Sequence, residues 1–368
     1  MDRDMGTRTV EGLSYRNAAA LSPCVSDLSR GGITMAQPCI DEEDFMTLSR
    51  LTRRTALGGL GSFGLAAAMS RAWAEEGGAS LNFLAVGDWG REGTNNQRDV
   101  AIRMGQSAEE LKARFVISVG DNFYEDGVAS VDDPAWKKSF EDVYDAPSLQ
   151  VPWYVALGNH DYHANSQAQI DYSAKSKRWK LPARWYRFEQ RTPDGALVAF
   201  HVIDTSPMLA AYYEDGAVKV KVAPEKHNVP VQLAWLDAGL AASKADWNVV
   251  IGHHPVYSGK FAKGEQPAGE VGGAPDLVAQ LDPILQRHRV PLYMNGHDHD
   301  LQHVLHGATH YVCTGAGSKM APKCGMEGSD FCSLQSGFVA CAVNRSRLRV
   351  AYRDHAGADL HVVDIARV

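Results

Sequence analysis

Short apolar runs of strand length recur along this chain, and five of six lead directly into a segment of Asp, Asn, His, Gly or Tyr. The runs are Leu81 to Val86, Phe115 to Val119, Trp153 to Leu157, Val198 to Ile203, Trp247 to Ile251 and Val290 to Met294. Most are rich in β-branched or aromatic residues, as buried strands are. Helical stretches fall between them at Gln97 to Ala113, Pro134 to Tyr144, Val231 to Ser243 and Asp276 to His288. Strand alternating with helix predicts a mixed or parallel sheet covered on both faces. From His310 onward the pattern turns to alternating strands, Phe338 to Val343 and Leu348 to Arg353, which predicts a second, more antiparallel sheet. The expected class is α/β, with two packed mixed β-sheets flanked by helices. No internal repeat or low-complexity tract divides residues 80 to 368, so they are expected to form one domain.

In open α/β sheets ligands lie beyond the carboxyl ends of the strands, so side chains distant in sequence converge there. The first segment is Gly87-Asp88-Trp89-Gly90, an Asp leaving its strand between glycines that permit a sharp turn. Gly120-Asp121-Asn122-Phe123-Tyr124 follows, adding a carboxylate able to bridge two cations and a phenol three residues on. Gly158-Asn159-His160-Asp161 offers an amide oxygen and an imidazole, and Gly252-His253-His254-Pro255 two histidines. In Gly296-His297-Asp298-His299 the two histidines stand at i and i+2, so on extended backbone both point the same way. Any one segment is an ordinary turn, but five in order form a ligand set. Oxygen and imidazole donors without thiolate suit iron, zinc or manganese.

The order Asp-x-Gly, Gly-Asp-x-x-Tyr, Gly-Asn-His-Asp, Gly-His and Gly-His-x-His resembles the calcineurin-like metallophosphoesterases. Tyr124 is similar to the tyrosine of the purple acid phosphatases, whose tyrosinate binds iron(III), and the short chain resembles their small, tartrate-resistant branch. The resemblance covers roughly residues 80 to 310. It implies an αββα sandwich and an Fe(III) site of Asp88, Tyr124 and His299, with Asp121 bridging. A second, divalent metal (Fe, Zn or Mn) would take Asn159, His253, His297 and Asp121. His160 is the implied catalytic partner beside the metals, and His254 a further histidine that would face the substrate.

On this reading the substrate is a phosphate monoester, attacked in line by metal-bound hydroxide while His160 binds the phosphate or protonates the leaving group. A phosphodiesterase or nucleotide hydrolase of the same superfamily shares the metal core. Other classes remain open: an iron-dependent redox (peroxidative) protein, or a protein that merely binds phosphate. The segment Ser258 to Gly273 reads as a solvated connection or a substrate loop.

A net charge of −7 and a pI near 6.0 argue against nucleic acid as the main partner, since binding a polyanion needs clustered positive charge. Residues 46 to 74 run from a basic stretch through an apolar one to Ala72-Trp73-Ala74, the order of an export signal. Thr52-Arg53-Arg54-Thr55 within it resembles the bacterial twin-arginine (Tat) signal, implying the Tat machinery as a transient partner and a periplasmic or secreted destination. The apolar part, Ala56 to Met69, is short of the ~20 residues that span a bilayer, so no stable membrane anchor is expected. Residues 1 to 45 read as a disordered or untranslated leader, and a start at Met46 would put the basic region directly before the apolar stretch. In an oxidising compartment Cys324 and Cys332 are the first pair to join, while Cys313 and Cys341 either pair or lie as buried free thiols.

Overall fold

The computed structural model describes residues 80–213, 228–259, 274–324 and 329–367. The expected leader and export signal, and all but the first two residues of the Ser258 to Gly273 segment, lie outside the described residues. Among the described residues no helix is long and apolar enough to cross a membrane.

The chain builds two seven-stranded sheets. Strands β1 (Leu81–Val86), β2 (Val116–Ser118), β3 (Trp153–Val155) and β4 (Trp179–Lys180) pair in parallel to start the first. The second contains β5 (Tyr186–Arg191), β6 (Leu197–Val202), β7 (Trp247–Ile251), β8 (Leu292–Asn295), β9 (Leu301–His306), β10 (Thr309–Thr314) and β11 (Phe331–Ser333), in the order β11-β9-β10-β8-β7-β6-β5. The chain then returns to the first sheet with β12 (Gly337–Val343), β13 (Arg347–Asp354) and β14 (Asp359–Ala366), laid antiparallel beyond β1. The two mixed sheets and flanking helices are the expected class.

One expectation is corrected. The chain from about His310 onward does not form a sheet of its own but extends both, β10 and β11 joining the second and β12 to β14 the first. The reason is edge pairing: β1 would otherwise expose a row of unpaired backbone groups, and β12 covers it from Leu81 to Ala85. Two helices also differ. The stretch Pro134 to Tyr144 holds only a short, wide helical turn, Trp136–Glu141. Helix α1 (Gln97–Leu111), α2 (Ser166–Tyr172) and α3 (Val229–Ala241) are followed by a broken pair, α4 (Ala274–Gln280) and α5 (Asp282–Arg287). Pro283 has no N–H to continue the first of these, so the break falls beside it.

Aromatic rings join the inner faces of the sheets. Phe200 of β6 meets Phe83 of β1 edge-on at 5.5 Å and Phe115, just before β2, at the same distance. A second cluster lies behind the strand ends: Trp89 packs on Phe123 at 5.4 Å, on Tyr144 at 5.3 Å and on Trp153 at 6.1 Å. Cys324 and Cys332 are joined in a disulfide, and Cys313 and Cys341 are buried free thiols in β10 and β12.

Candidate metal centre

Parallel strands β1, β2, β3, β7 and β8 end on one side of the two sheets, and each carries a predicted segment just past its end. Trp89 and Phe123 are fully buried in the shared aromatic cluster, each next in sequence to a site residue, Asp88 and Tyr124. Their burial anchors the two loops, and the Trp89 indole donates to Ser118 Oγ at 2.8 Å.

The backbone is bent to bring the side chains in. Asp88, Asp121 and His297 have φ of 60°, 49° and 68°, a left-handed conformation that non-glycine residues seldom adopt. Such strain persists only where the surroundings enforce it, most often at functional sites. The motif glycines supply room: a Cβ on Gly158 would lie 2.2 Å from both the backbone nitrogen and Oδ1 of Asp121, and one on Gly296 2.2 Å from Asp88 Oδ2.

Two donor groups meet at Asp121. On one side the Tyr124 hydroxyl lies 2.9 Å from Asp88 Oδ1, 2.9 Å from Asp121 Oδ2 and 3.0 Å from His299 Nε2. On the other, Asn159 Oδ1 lies 3.1 Å from His253 Nε2 and 3.0 Å from His297 Nδ1, while His253 Nε2 is 3.4 Å from Asp121 Oδ1. His253 Nδ1 donates to the Val119 carbonyl at 2.9 Å, which turns Nε2 towards the cluster.

The chemistry of this donor set fits cations. One phenolic proton cannot serve two carboxylates, so one of the Tyr124 contacts sets oxygen against oxygen. Burial first, then Asp121 and Asp88, pushes the Tyr124 phenol well above its ordinary range, with Arg91 opposing. A metal ion is the charge that reverses this balance. Burial works against a charged His253, yet Asp121 raises it to about 9; burial and the neighbouring His253 lower His297 to about 4. Asp88, Asp121 and His253 bring possible ligand atoms within 4.8 Å of one another, and so do His253, His254 and His297.

His160 and His254 differ in placement. The His160 backbone N–H donates to Asp121 Oδ1 at 2.8 Å, its Nδ1 is 2.5 Å from the Glu125 carbonyl, and its ring packs on Tyr124 at 4.5 Å. It stands at the rim, partly exposed. His254 does not face open space, contrary to expectation. It is fully buried, with Nδ1 2.8 Å from Thr205 Oγ1, Nε2 2.8 Å from the Tyr212 hydroxyl and its ring 4.5 Å from that of His297. Both ring nitrogens are thus engaged by hydroxyls of neighbouring turns, a pairing that residue order does not reveal.

Several residues escaped the sequence reading. Asp161, in the third segment but given no role, accepts from the Gly158 and Asn122 backbone N–H groups and from Gln169 Nε2, holding two loops together. Arg91, one residue past the first segment, lies with its guanidinium carbon 3.7 Å from the Tyr124 ring centroid. No sequence signal marks Tyr212 or Thr205.

The calcineurin-like phosphoesterase family model matches residues 81–301. The chain belongs to that family. It is 36% identical to purple acid phosphatase 4 of Arabidopsis thaliana over 78% of this chain and 84% of the relative. To tartrate-resistant acid phosphatase type 5 of Homo sapiens it is 38% identical, over 66% of this chain and 74% of the relative. In structure it is similar to GAP50, described as the anchor in the inner membrane complex of Plasmodium, with a TM-score of 0.65 and 25% identity over 79% of this chain and 90% of that one. The yellow lupin purple acid phosphatase PPD1 shares the fold, with a TM-score of 0.53 at 18% identity, over 79% of this chain and 54% of that one. Within the family the chain groups with the purple acid phosphatases and is a metal-dependent phosphoric monoester hydrolase.

Proposed function

We propose that this chain is a two-metal acid phosphatase acting on phosphate monoesters, with Fe(III) at Asp88, Tyr124 and His299 and a divalent Fe, Zn or Mn ion at Asn159, His253 and His297. Asp121 is the shared ligand. The observation that carries this reading is the Tyr124 hydroxyl, within 3.0 Å of Asp88, Asp121 and His299 at once. Held by these residues, two such cations would supply Lewis-acid binding of phosphoryl oxygens, a water-derived nucleophile and stabilisation of charge on the leaving oxygen.

The chain's own residues do the rest. His160 is held by its backbone on Asp121 and by Nδ1 on a carbonyl, which can only accept, so a protonated ring donates onward from Nε2. That suits it to bind a phosphoryl oxygen or protonate a departing alkoxide. His254 is a positioning residue: clamped by Thr205 and Tyr212, it braces the His297 ring from behind.

Export through the Tat route to the periplasm or beyond remains part of the proposal, supported by the signal-like residues 46 to 74 and by the Cys324 to Cys332 disulfide. The test of function is hydrolysis of matched mono- and diesters by the metal-loaded chain at acid pH. Preference for the monoester supports the assignment; preference for the diester contradicts it.

A further inference from the structure

Arg91 stands apart from the ligand set, yet it is built in as carefully as the ligands. Its side chain is 8% exposed. The guanidinium carbon lies 3.7 Å from the centre of the Tyr124 ring, which is face contact. Three contacts hold it there. Nε donates to Ser318 Oγ at 3.2 Å, Nη1 pairs with Glu125, and the Arg91 backbone N–H donates to Gln97 Oε1 at 3.0 Å. Ser318 Oγ in turn donates to the backbone carbonyl of Asp88, so the arginine is tied to the loop that carries a proposed ligand of the same metal.

A cation over an aromatic face is attracted by the ring's electron density and is worth more when shielded from water. The attraction strengthens if the ring carries the negative charge of a phenolate. Two carboxylates, Asp88 and Asp121, lie 2.9 Å from the Tyr124 oxygen, so a phenolate there meets repulsion within its own ligand group. The fixed guanidinium offsets part of it from the ring side, where no ligand can.

We infer that Arg91 tunes Tyr124 as an iron ligand, its guanidinium drawing electron density from the phenolate through the ring face and so weakening its donation to Fe(III). This rests on the reading of Tyr124 as a ligand. Arg91 touches neither metal nor substrate in this role; it is a positioning residue. Glu125 sets its strength, because that carboxylate, 66% exposed, neutralises part of the guanidinium charge.

The test is the visible phenolate-to-iron band of the iron-loaded full chain, read beside iron content and kinetics. Arg91→Met removes the charge, raises the phenolate's highest filled orbital and shifts the band to longer wavelength, with a fall in the Fe(III)/Fe(II) potential. Arg91→Lys, which keeps charge but not the planar stack, gives a smaller shift of the same sign. Glu125→Gln frees the guanidinium and shifts the band the opposite way. A band unmoved in all three variants at full iron content overturns the inference, as does a rise in KM alone, which would make Arg91 a substrate-binding group. If Arg91→Met fails to hold iron, the other two variants decide, and an unmoved band in both overturns it. A wild-type chain with full iron and no band would instead sink the ligand assignment itself, and this inference with it.

Discussion

The Asp88 carboxylate and the Tyr124 hydroxyl lie 2.9 Å apart, although one follows β1 and the other β2. Neither is placed by its own strand alone. Trp89 and Phe123 pack on each other in the same cluster, so the two loops are fixed as a pair and the proposed ligands beside them inherit that spacing. Preorganisation of this kind lets a site hold metal without reordering the chain each time.

Asp121 belongs to both halves of the site, touching Tyr124 through Oδ2 and facing His253 through Oδ1. Asp121→Ala is therefore expected to lose both metals together, with hydrolysis falling to background. Metal analysis of the purified variant checks this. Retention of either metal at full occupancy would place the bridge elsewhere.

The brace behind His297 predicts a subtler effect. Tyr212→Phe removes the hydroxyl that holds His254 Nε2 and leaves the ring in place. Divalent-metal affinity is expected to weaken, by less than the ~10-fold to ~100-fold typical of losing a direct partner of a ligating histidine, because Tyr212 acts through His254. Iron content and its visible band should stay near wild type. Titration of the divalent ion into iron-loaded protein measures the difference, and unchanged affinity would show that His254 needs no clamp.

Gly158 tests how tightly the loops are packed. Gly158→Ala would place a methyl 2.2 Å from the backbone nitrogen of Asp121, which cannot move aside. Overpacking of this sort costs about 1 to 3 kcal/mol, and here it would also displace the proposed bridging ligand. Urea unfolding should show a lower midpoint together with reduced metal content. Stability equal to wild type would contradict the close approach.

Much of the convergence at this site was legible in the sequence because each proposed ligand follows a strand, and strand ends in parallel sheets share one side of the fold. Asp88, Asp121, Tyr124, Asn159, His253, His297 and His299 could be read out that way. What could not be read was pairing between distant elements. Strand β12 returns to cover β1 only because both edges are free in three dimensions, and nothing in Gly337 to Val343 names its partner. Similarly, the adjacency of His253 and His254 suggested two histidines facing one site, whereas one faces it and the other is turned into Thr205 and Tyr212. Arg91 carries no such signal, because a charged residue after a glycine is by default a surface residue. The helix break at Pro283 was the opposite case, a local rule sufficient to have placed it.

Histidines buried without charge set a pH limit on the fold. Burial pushes His201 down to about 4; it lies behind Trp235, with Nδ1 lacking a partner among the described residues. His303 falls to about 4 through burial and then the neighbouring His310. The unfolded chain takes up these protons first, near the ordinary value of 6.5. Their contribution is therefore complete above that value, drains away between 6.5 and about 4, and is gone below. Denaturant midpoints measured from about pH 7 down to about pH 4 should decline across this window. His201→Gln should flatten part of the decline, and an identical slope in the variant would remove His201 from the account.

Iron binding by Tyr124 is decided by the visible spectrum and iron content of wild type and Tyr124→Phe measured side by side. Wild type is expected to show a phenolate-to-iron band that disappears in the variant while the fold and much of the iron remain. The same band in both proteins, or an iron-replete wild type with no band, would contradict it.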